Sequence, residues 1–201
     1  IATNLKTPKR GDFITYNFND SIYGTSTYLH RLCAVENDTV EIALILTNNP
    51  DAYVIERAKN LGVETHVFTR TNFLNSDQIV QVLLKNNINL VILAGFLLKI
   101  PENLINTFPN KIVNIHPALL PKYGGKGMYG DNVHKAVVAA NETESGITIH
   151  FVNENYDEGE IIFQAKCPVL ENDTFESVAT KVHALEYEHF PQTIDFLVKK
   201  H

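Results

Sequence analysis

Two short segments of the chain are apolar at almost every position, and they limit the folds available to it. Residues 40–47 read VEIALILT and residues 89–94 read NLVILA. A strand that is apolar on both faces belongs inside a sheet covered on both sides, as in parallel sheets with helices on each face. The stretch between them has helical periodicity, with apolar residues at Ile79, Val80, Leu83 and Leu84. The chain is therefore predicted to fold around a buried, mainly parallel sheet.

Strands and helices alternate through the first part of the chain, which predicts right-handed βαβ units. The predicted strands of this part are residues 13–18, 40–47, 63–68, 89–94 and 111–115. Residues 146–152 and 160–169 then predict an antiparallel hairpin with an enlarged loop, and a long helix containing Pro191 begins at Thr174. We expect an α/β fold, namely a Rossmann-like, mostly parallel sheet with helices on both faces, plus an antiparallel C-terminal hairpin and a long C-terminal helix. All 201 residues are expected to form one domain, with residues 1–12 as a loose N-terminal arm.

Composition narrows the class of protein. The chain is 44% hydrophobic and 20% charged, as in ordinary globular proteins, and its net charge of -6 disfavours a general nucleic-acid binder. Cys33 and Cys167 have neither metal-ligand nor redox spacing. No apolar run approaches the roughly 18 residues that span a bilayer, and no signal-peptide core is present. We expect a cytoplasmic monomer or homodimer without a metal, a membrane partner or a nucleic-acid partner.

Asn114 and His116 are the first candidates for chemistry. Side chains two residues apart on a strand point to the same side, and Pro117 holds His116 in an extended conformation. Parallel sheets bind ligands beyond the carboxyl ends of their strands, where this pair is predicted to lie. A neutral imidazole can accept a proton or donate to an oxyanion, and an asparagine can donate to the same oxygen. The pair therefore predicts an acyl-transfer type of site.

Three further features remain open from the residues alone. Asp157, in the predicted hairpin loop, could orient the imidazole or relay a proton through water, or it is a turn residue. His150 either faces the same site or packs in the core, whereas Glu158 and Glu160 should face solvent. Gly24-Thr25-Ser26 follows the first predicted strand as an anion-binding turn would, or forms an ordinary loop and helix cap. Neither a G-x-S-x-G elbow nor a Walker A sequence is present, which disfavours serine-hydrolase and P-loop chemistry.

Several motifs together resemble one known family. These are Leu93-Ala94-Gly95-Phe96, Asn114-Ile115-His116-Pro117-Ala118-Leu119-Leu120-Pro121, GITIHFV at 146–152, and Asp157-Glu158-Gly159. The second motif, Asn-x-His-Pro-x-Leu-Leu-Pro, is specific to the folate-dependent formyltransferases, and the similarity runs from about Val40 to the end. The short single-domain length and the Asp-x-Gly hairpin favour the branch that acts on glycinamide ribonucleotide.

The resemblance implies transfer of a formyl group from the co-substrate 10-formyltetrahydrofolate to the amine of glycinamide ribonucleotide, in purine synthesis. The amine attacks directly, without a metal or a covalent enzyme intermediate. By match of motif, Asn114 and His116 would stabilise the tetrahedral intermediate, and Asp157 would assist proton transfer.

The resemblance also implies binding residues. The wall around the folate's pterin would be formed by Leu97, Leu98, Ile100, Asn153, Glu154 and Tyr156. The substrate would be bound by Gly24, Thr25, Ser26, Gly95 and Glu186, with Glu186 on the ribose and the Gly24 turn on the phosphate.

This turn departs from the family's Gly-x-Gly-[ST]-Asn pattern, because Ile22 replaces the first glycine and Ser26 the asparagine. The departure keeps other functions open: a related formyltransferase with another acceptor, a formyl-folate hydrolase, or a non-catalytic folate-binding domain.

Overall fold

A computed structural model describes residues 2–3 and 42–200 of the chain. In that part of the chain, one seven-stranded sheet has the order β3-β2-β1-β4-β5-β6-β7. Its strands are β1 (Ala2–Thr3), β2 (Ile42–Thr47), β3 (Glu64–Val67), β4 (Leu90–Leu93), β5 (Ile112–His116), β6 (Glu144–Phe151) and β7 (Ile161–Pro168). The helices are α1 (Tyr53–Asn60), α2 (Arg70–Asn75), α3 (Gln78–Lys85), α4 (Glu102–Thr107), α5 (Asp131–Ala139) and α6 (Phe175–Lys200).

The strand directions confirm the predicted α/β class. β2 is parallel to β3 and β4 is parallel to β5, while β6 is antiparallel to both β5 and β7. β1 runs antiparallel to β2 and β4, so five of the seven described strands share one direction. Ala2 and Thr3 therefore do not belong to a loose arm, because their backbone groups pair with a strand on each side. The predicted strand at residues 13–18 lies outside the described residues.

The two faces of the sheet carry separate cores, as the alternation of side chains along a strand requires. Ile45, Ile92 and Val113 point to one face, which α6 covers with Val182 and Phe190. On the other face, a second cluster joins strand side chains to those of α2, α3 and α4; its members include Leu46, Leu93, Ile112, Phe73, Leu83 and Leu104. Helices therefore cover both faces, as predicted. None of the described helices combines the length and the apolar content needed to cross a membrane.

Two phenylalanines on α6 offer a matched test of this packing. Phe190 is fully buried in the first cluster, whereas Phe196 on the same helix is 60% exposed. We expect Phe190→Ala to lower the free energy of unfolding by about 3–5 kcal/mol, because it removes a buried ring and leaves a cavity. Phe196→Ala should change it by less than about 0.5 kcal/mol. Urea unfolding of both variants checks this, and equal losses would contradict the assignment of the core.

A buried histidine joins α5 to α6. His134 is 1% exposed, and its ring centroid lies 6.2 Å from that of His183. Burial, reinforced by the neighbouring His183, lowers the pKa of His134 to about 4, although Asp131 opposes the shift. The imidazole is therefore neutral in the folded protein across the range in which an unfolded histidine takes up a proton.

This shift predicts a stability that falls in mild acid. The unfolded state binds a proton on His134 below about pH 6.5 and the folded state only near pH 4, so stability declines as the pH falls between these values. The loss should reach about 2 kcal/mol by pH 5. Urea unfolding between pH 7.5 and 5 measures it. In His134→Gln the decline should be smaller, with the remainder carried by His116 and His183; an unchanged decline would contradict the prediction.

Candidate active site

The pairing of β5 with β6 brings four polar side chains together at one end of the sheet. Asn114 lies directly opposite His150, and His116 lies opposite Thr148. Their neighbours along the two strands point into the first core cluster, so these four share the opposite face. The alternation of the GITIHFV motif places Thr148 and His150 on the same face of their strand. Only the strand register shows that this pair lies opposite Asn114 and His116.

His116 is held by protein groups at both ring nitrogens. Its Nε2 lies 2.8 Å from the carbonyl oxygen of Tyr123, and its Nδ1 lies 3.5 Å from Oδ2 of Asp157. A carbonyl only accepts, so Nε2 carries a hydrogen and the neutral ring presents its Nδ1 lone pair to Asp157. Burial lowers the pKa of His116, against the opposing effects of Asp157 and the Tyr123 carbonyl. The imidazole is thus a neutral base whose protonated form would have a carboxylate partner.

Asp157 connects the hairpin loop to the rest of the site. Its Oδ2 accepts a hydrogen bond from the backbone N–H of Gly125 at 2.9 Å, and its Oδ1 lies 3.6 Å from Nε2 of His150. Burial alone would raise its pKa, but His150, His116 and the Gly125 N–H together lower it, so the carboxyl is ionised at neutral pH. Its backbone is left-handed, with φ of 57°, which aspartate tolerates better than most residues. Asp157 is therefore both a turn residue and a charged member of the site.

Asn114 and His150 form the other half of the cluster. The Nδ2 atom of Asn114 lies 3.1 Å from Nε2 of His150, and Nδ1 of His150 lies 2.8 Å from the carbonyl oxygen of Phe151. His150 is 2% exposed. The structure therefore decides the question that the sequence left open: His150 faces the site.

A buried hydroxyl holds the segment that follows His116. Thr148 Oγ1 donates to the carbonyl of Ala118 at 2.7 Å and accepts from the backbone N–H of Leu120 at 3.0 Å. Gln164 Nε2 donates to the same hydroxyl at 2.8 Å and to the Leu120 carbonyl at 3.1 Å. These bonds fix the chain between His116 and Tyr123, and so support the carbonyl that the imidazole contacts.

The segment after β4 lies at the same edge of the sheet as Asn114. Gly95, with φ of 67°, follows β4, whose Leu93 pairs with Asn114. Leu97 is 37% exposed and Leu98 is half-buried, but Ile100 is only 5% exposed within the second cluster. Leu97 and Leu98 therefore present side-chain surface, whereas Ile100 belongs to the core.

The other predicted binding residues that the structure describes lie in the hairpin loop and on α6. Asn153, Glu154 and Tyr156 belong to the hairpin loop, which follows β6; Tyr156 is 38% exposed, and Glu158 and Glu160 are exposed as predicted. Glu186 is buried on α6. Gly24, Thr25 and Ser26 lie outside the described residues. Within residues 2–3 and 42–200, no three His, Cys, Asp or Glu side chains are grouped as a metal site would require.

Comparison with known proteins identifies the family. The family described as formyl transferase matches residues 22–194. A chloroplastic phosphoribosylglycinamide formyltransferase of Arabidopsis thaliana is 40% identical over 171 residues, which are 83% of this chain and 59% of that protein. The phosphoribosylglycinamide formyltransferase of Haemophilus influenzae is 35% identical over 185 residues, or 89% of this chain and 85% of that one. The chain therefore belongs to the formyl transferase family.

A solved structure agrees with this assignment. The crystal structure of glycinamide ribonucleotide transformylase 1 from Symbiobacterium toebii superposes with a TM-score of 0.80 and 28% identity, covering 94% of this chain and 88% of that one. The resemblance deduced from the motifs is confirmed. The chain spans 59% and 53% of the length of the two plant relatives.

Removing the Thr148 hydroxyl should loosen the segment that follows His116. Thr148→Val keeps the side-chain shape but leaves the Leu120 N–H and the Ala118 carbonyl without their buried partner, so we expect a loss of about 1–3 kcal/mol in the free energy of unfolding. Thr148→Ser keeps the hydroxyl and loses one methyl group, which costs about 0.8 kcal/mol. Urea unfolding of the two variants checks this, and a serine variant as unstable as the valine variant would contradict it.

Proposed function

We propose that the protein transfers a formyl group from 10-formyltetrahydrofolate to the amine of glycinamide ribonucleotide, a step of purine biosynthesis. The observation that carries the proposal is the cluster of Asn114, His116 and Asp157 at the carboxyl end of β5. It supplies a hydrogen-bond donor, a neutral base and a carboxylate at the sheet edge where ligands of such folds bind. The names of its relatives in the formyl transferase family support the acceptor.

The reaction needs charge stabilisation and one proton transfer. The amine nitrogen attacks the formyl carbon, the carbonyl oxygen gains negative charge, and the bond between that carbon and N10 of the folate then breaks. We assign one Nδ2 hydrogen of Asn114 to the developing oxyanion, because a preorganised donor is effective there.

His116 and Asp157 handle the proton. The amine must lose one proton, and the departing N10 nitrogen must gain one. Nδ1 of His116 is the ring nitrogen without a hydrogen, since Nε2 donates to Tyr123, and it faces the Asp157 carboxylate. A proton held there creates an imidazolium next to a carboxylate, and its positive charge also favours the oxyanion. Asp157 would assist the transfer towards N10.

The binding residues follow from the family motif. Leu97, Leu98, Ile100, Asn153, Glu154 and Tyr156 are proposed around the folate, and Gly24, Thr25, Ser26, Gly95 and Glu186 around the ribonucleotide. The exposed surfaces of Leu97 and Tyr156 support the first set. A cytoplasmic location and a monomeric or homodimeric state stay predictions; two relatives are chloroplastic by name.

The test is release of tetrahydrofolate from 10-formyltetrahydrofolate by the purified, folded protein in the presence of glycinamide ribonucleotide. Asn114→Ala should lower kcat about 10²- to 10³-fold, as expected for the loss of an oxyanion donor. Asp157→Asn tolerates the left-handed backbone but removes the charge, and should lower kcat about 10²- to 10⁴-fold. Glu158→Gln, which changes an exposed neighbouring carboxylate, is the matched control and should keep full activity.

The departure from the family pattern around Gly24 favours a second candidate, a formyltransferase for another amine or a formyl-folate hydrolase. The same assay separates them. Tetrahydrofolate release with water alone identifies a hydrolase, and release only with another amine identifies another acceptor. Folate binding by calorimetry without release under any condition identifies a non-catalytic binding domain. Each of these results would overturn the proposed reaction.

A further inference from the structure

His150 is a buried imidazole in the candidate active site to which the proposed reaction gives no role. It lies opposite Asn114 across the β5–β6 pair, with its Nε2 3.1 Å from the Asn114 amide nitrogen and 3.6 Å from Oδ1 of Asp157. Burying an imidazole is costly unless its polar atoms are satisfied, and here both ring nitrogens have partners. These contacts tie His150 directly to two of the three residues proposed to act on the substrate.

The hydrogen-bond network assigns the tautomer of His150. Its Nδ1 lies 2.8 Å from the carbonyl oxygen of Phe151, which can only accept, so Nδ1 carries a hydrogen. The neutral ring then has a lone pair at Nε2. The Asn114 side chain must place its NH₂ group, not its carbonyl oxygen, against that lone pair. The Asn114 amide could be rotated by 180°, which exchanges its oxygen and its NH₂ group. The lone pair of His150 favours only the orientation that presents the NH₂ group.

The backbone of the hairpin is built to keep the Phe151 carbonyl in this position. A Cβ atom on Gly159 would lie 1.6 Å from that carbonyl oxygen and 3.5 Å from Nδ1 of His150, so only glycine allows the approach. The strand register also shifts between Ile149 and His150, because β7 contributes one extra residue at this point. Such bulges re-aim the side chain beside them.

We propose that His150 is a positioning residue, which holds the Asn114 amide with its NH₂ group directed for donation to the formyl oxygen. One amide hydrogen binds Nε2 of His150 and the second remains available for the substrate. If the Asn114 amide were rotated by 180°, its oxygen would face the formyl oxygen in place of the NH₂ group. It would then repel the negative charge that develops there. This inference rests on the proposed formyl transfer, and it adds a residue to that site.

The two imidazoles of the site share one carboxylate, that of Asp157. His116 and His150 approach different oxygens of the same carboxylate, at 3.5 and 3.6 Å. One carboxylate neutralises a single imidazolium, and two protonated rings this close would repel each other. The proton taken up by His116 therefore leaves His150 as the acceptor for Asn114.

The test begins with the unliganded wild-type protein, because it needs no activity. Nitrogen-15 NMR of the histidine rings should find the hydrogen of His150 on Nδ1 and a bare Nε2 at pH 7.5. The side-chain amide resonances of Asn114 should move in His150→Phe and stay close to wild type in His150→Gln, which restores an acceptor. A hydrogen on Nε2 of His150, or Asn114 resonances that do not respond, would overturn the proposal.

Kinetics give the second measurement. His150→Phe should lower kcat by about 10- to 100-fold, as expected for a misplaced catalytic group, with KM for both substrates changed by less than about threefold. His150→Gln should recover part of the loss. In an Asn114→Ala background, His150→Phe should cost no further activity, because the donor that it positions is already absent. A full additional loss there, or a loss only in KM, would overturn the positioning role.

The outcomes separate this inference from the proposed function. If the NMR results hold and the protein releases tetrahydrofolate only with a different acceptor, the acceptor is wrong and the kinetic test is repeated with the new one. If glycinamide ribonucleotide is formylated but Asn114 does not respond to His150→Phe, the reaction stands and the positioning role fails.

Discussion

The candidate active site depends on one strand pairing, the antiparallel register of β5 and β6. That register sets Asn114 opposite His150 and His116 opposite Thr148. The same alternation sends Val113, Ile115, Ile147 and Ile149 into the core covered by α6. Burial of these four apolar side chains stabilises the register, since their transfer from water is the main favourable term in folding. The geometry of the polar face is therefore maintained by the packing of the apolar face.

One carboxylate, that of Asp157, supplies the negative charge next to the two imidazoles of this polar face. Asp157 approaches both imidazoles and accepts the Gly125 N–H, so three partners favour its ionised form against the cost of burial. Burial lowers the pKa of His116 and leaves it neutral near pH 7, able to hold a proton only briefly and only beside that carboxylate. A base of this kind suits a reaction that moves one proton between two nitrogen atoms.

The sequence predicts the buried strands and some of the site residues, but not the others. Continuous apolar runs such as residues 89–94 predict buried parallel strands, and the spacing of Asn114 and His116 places both on one face. Asp157 stays ambiguous in the sequence because an aspartate near a glycine is equally a turn signal. The Tyr123 carbonyl and the Gly125 N–H cannot be predicted at all, since every residue carries these groups. His150 joins the site only through the register of a neighbouring strand.

The β5–β6 register also determines which changes the hairpin can accept during evolution. Side chains on a strand alternate with a period of two, so deleting one residue early in β6 would exchange its two faces. Ile149 and Phe151 would then meet His116 and Asn114, and Thr148 and His150 would be driven into the apolar core. Two changes would follow from one deletion: loss of the core and loss of the polar cluster. Strand β6 should therefore tolerate substitutions at its exposed end far better than any change in its length.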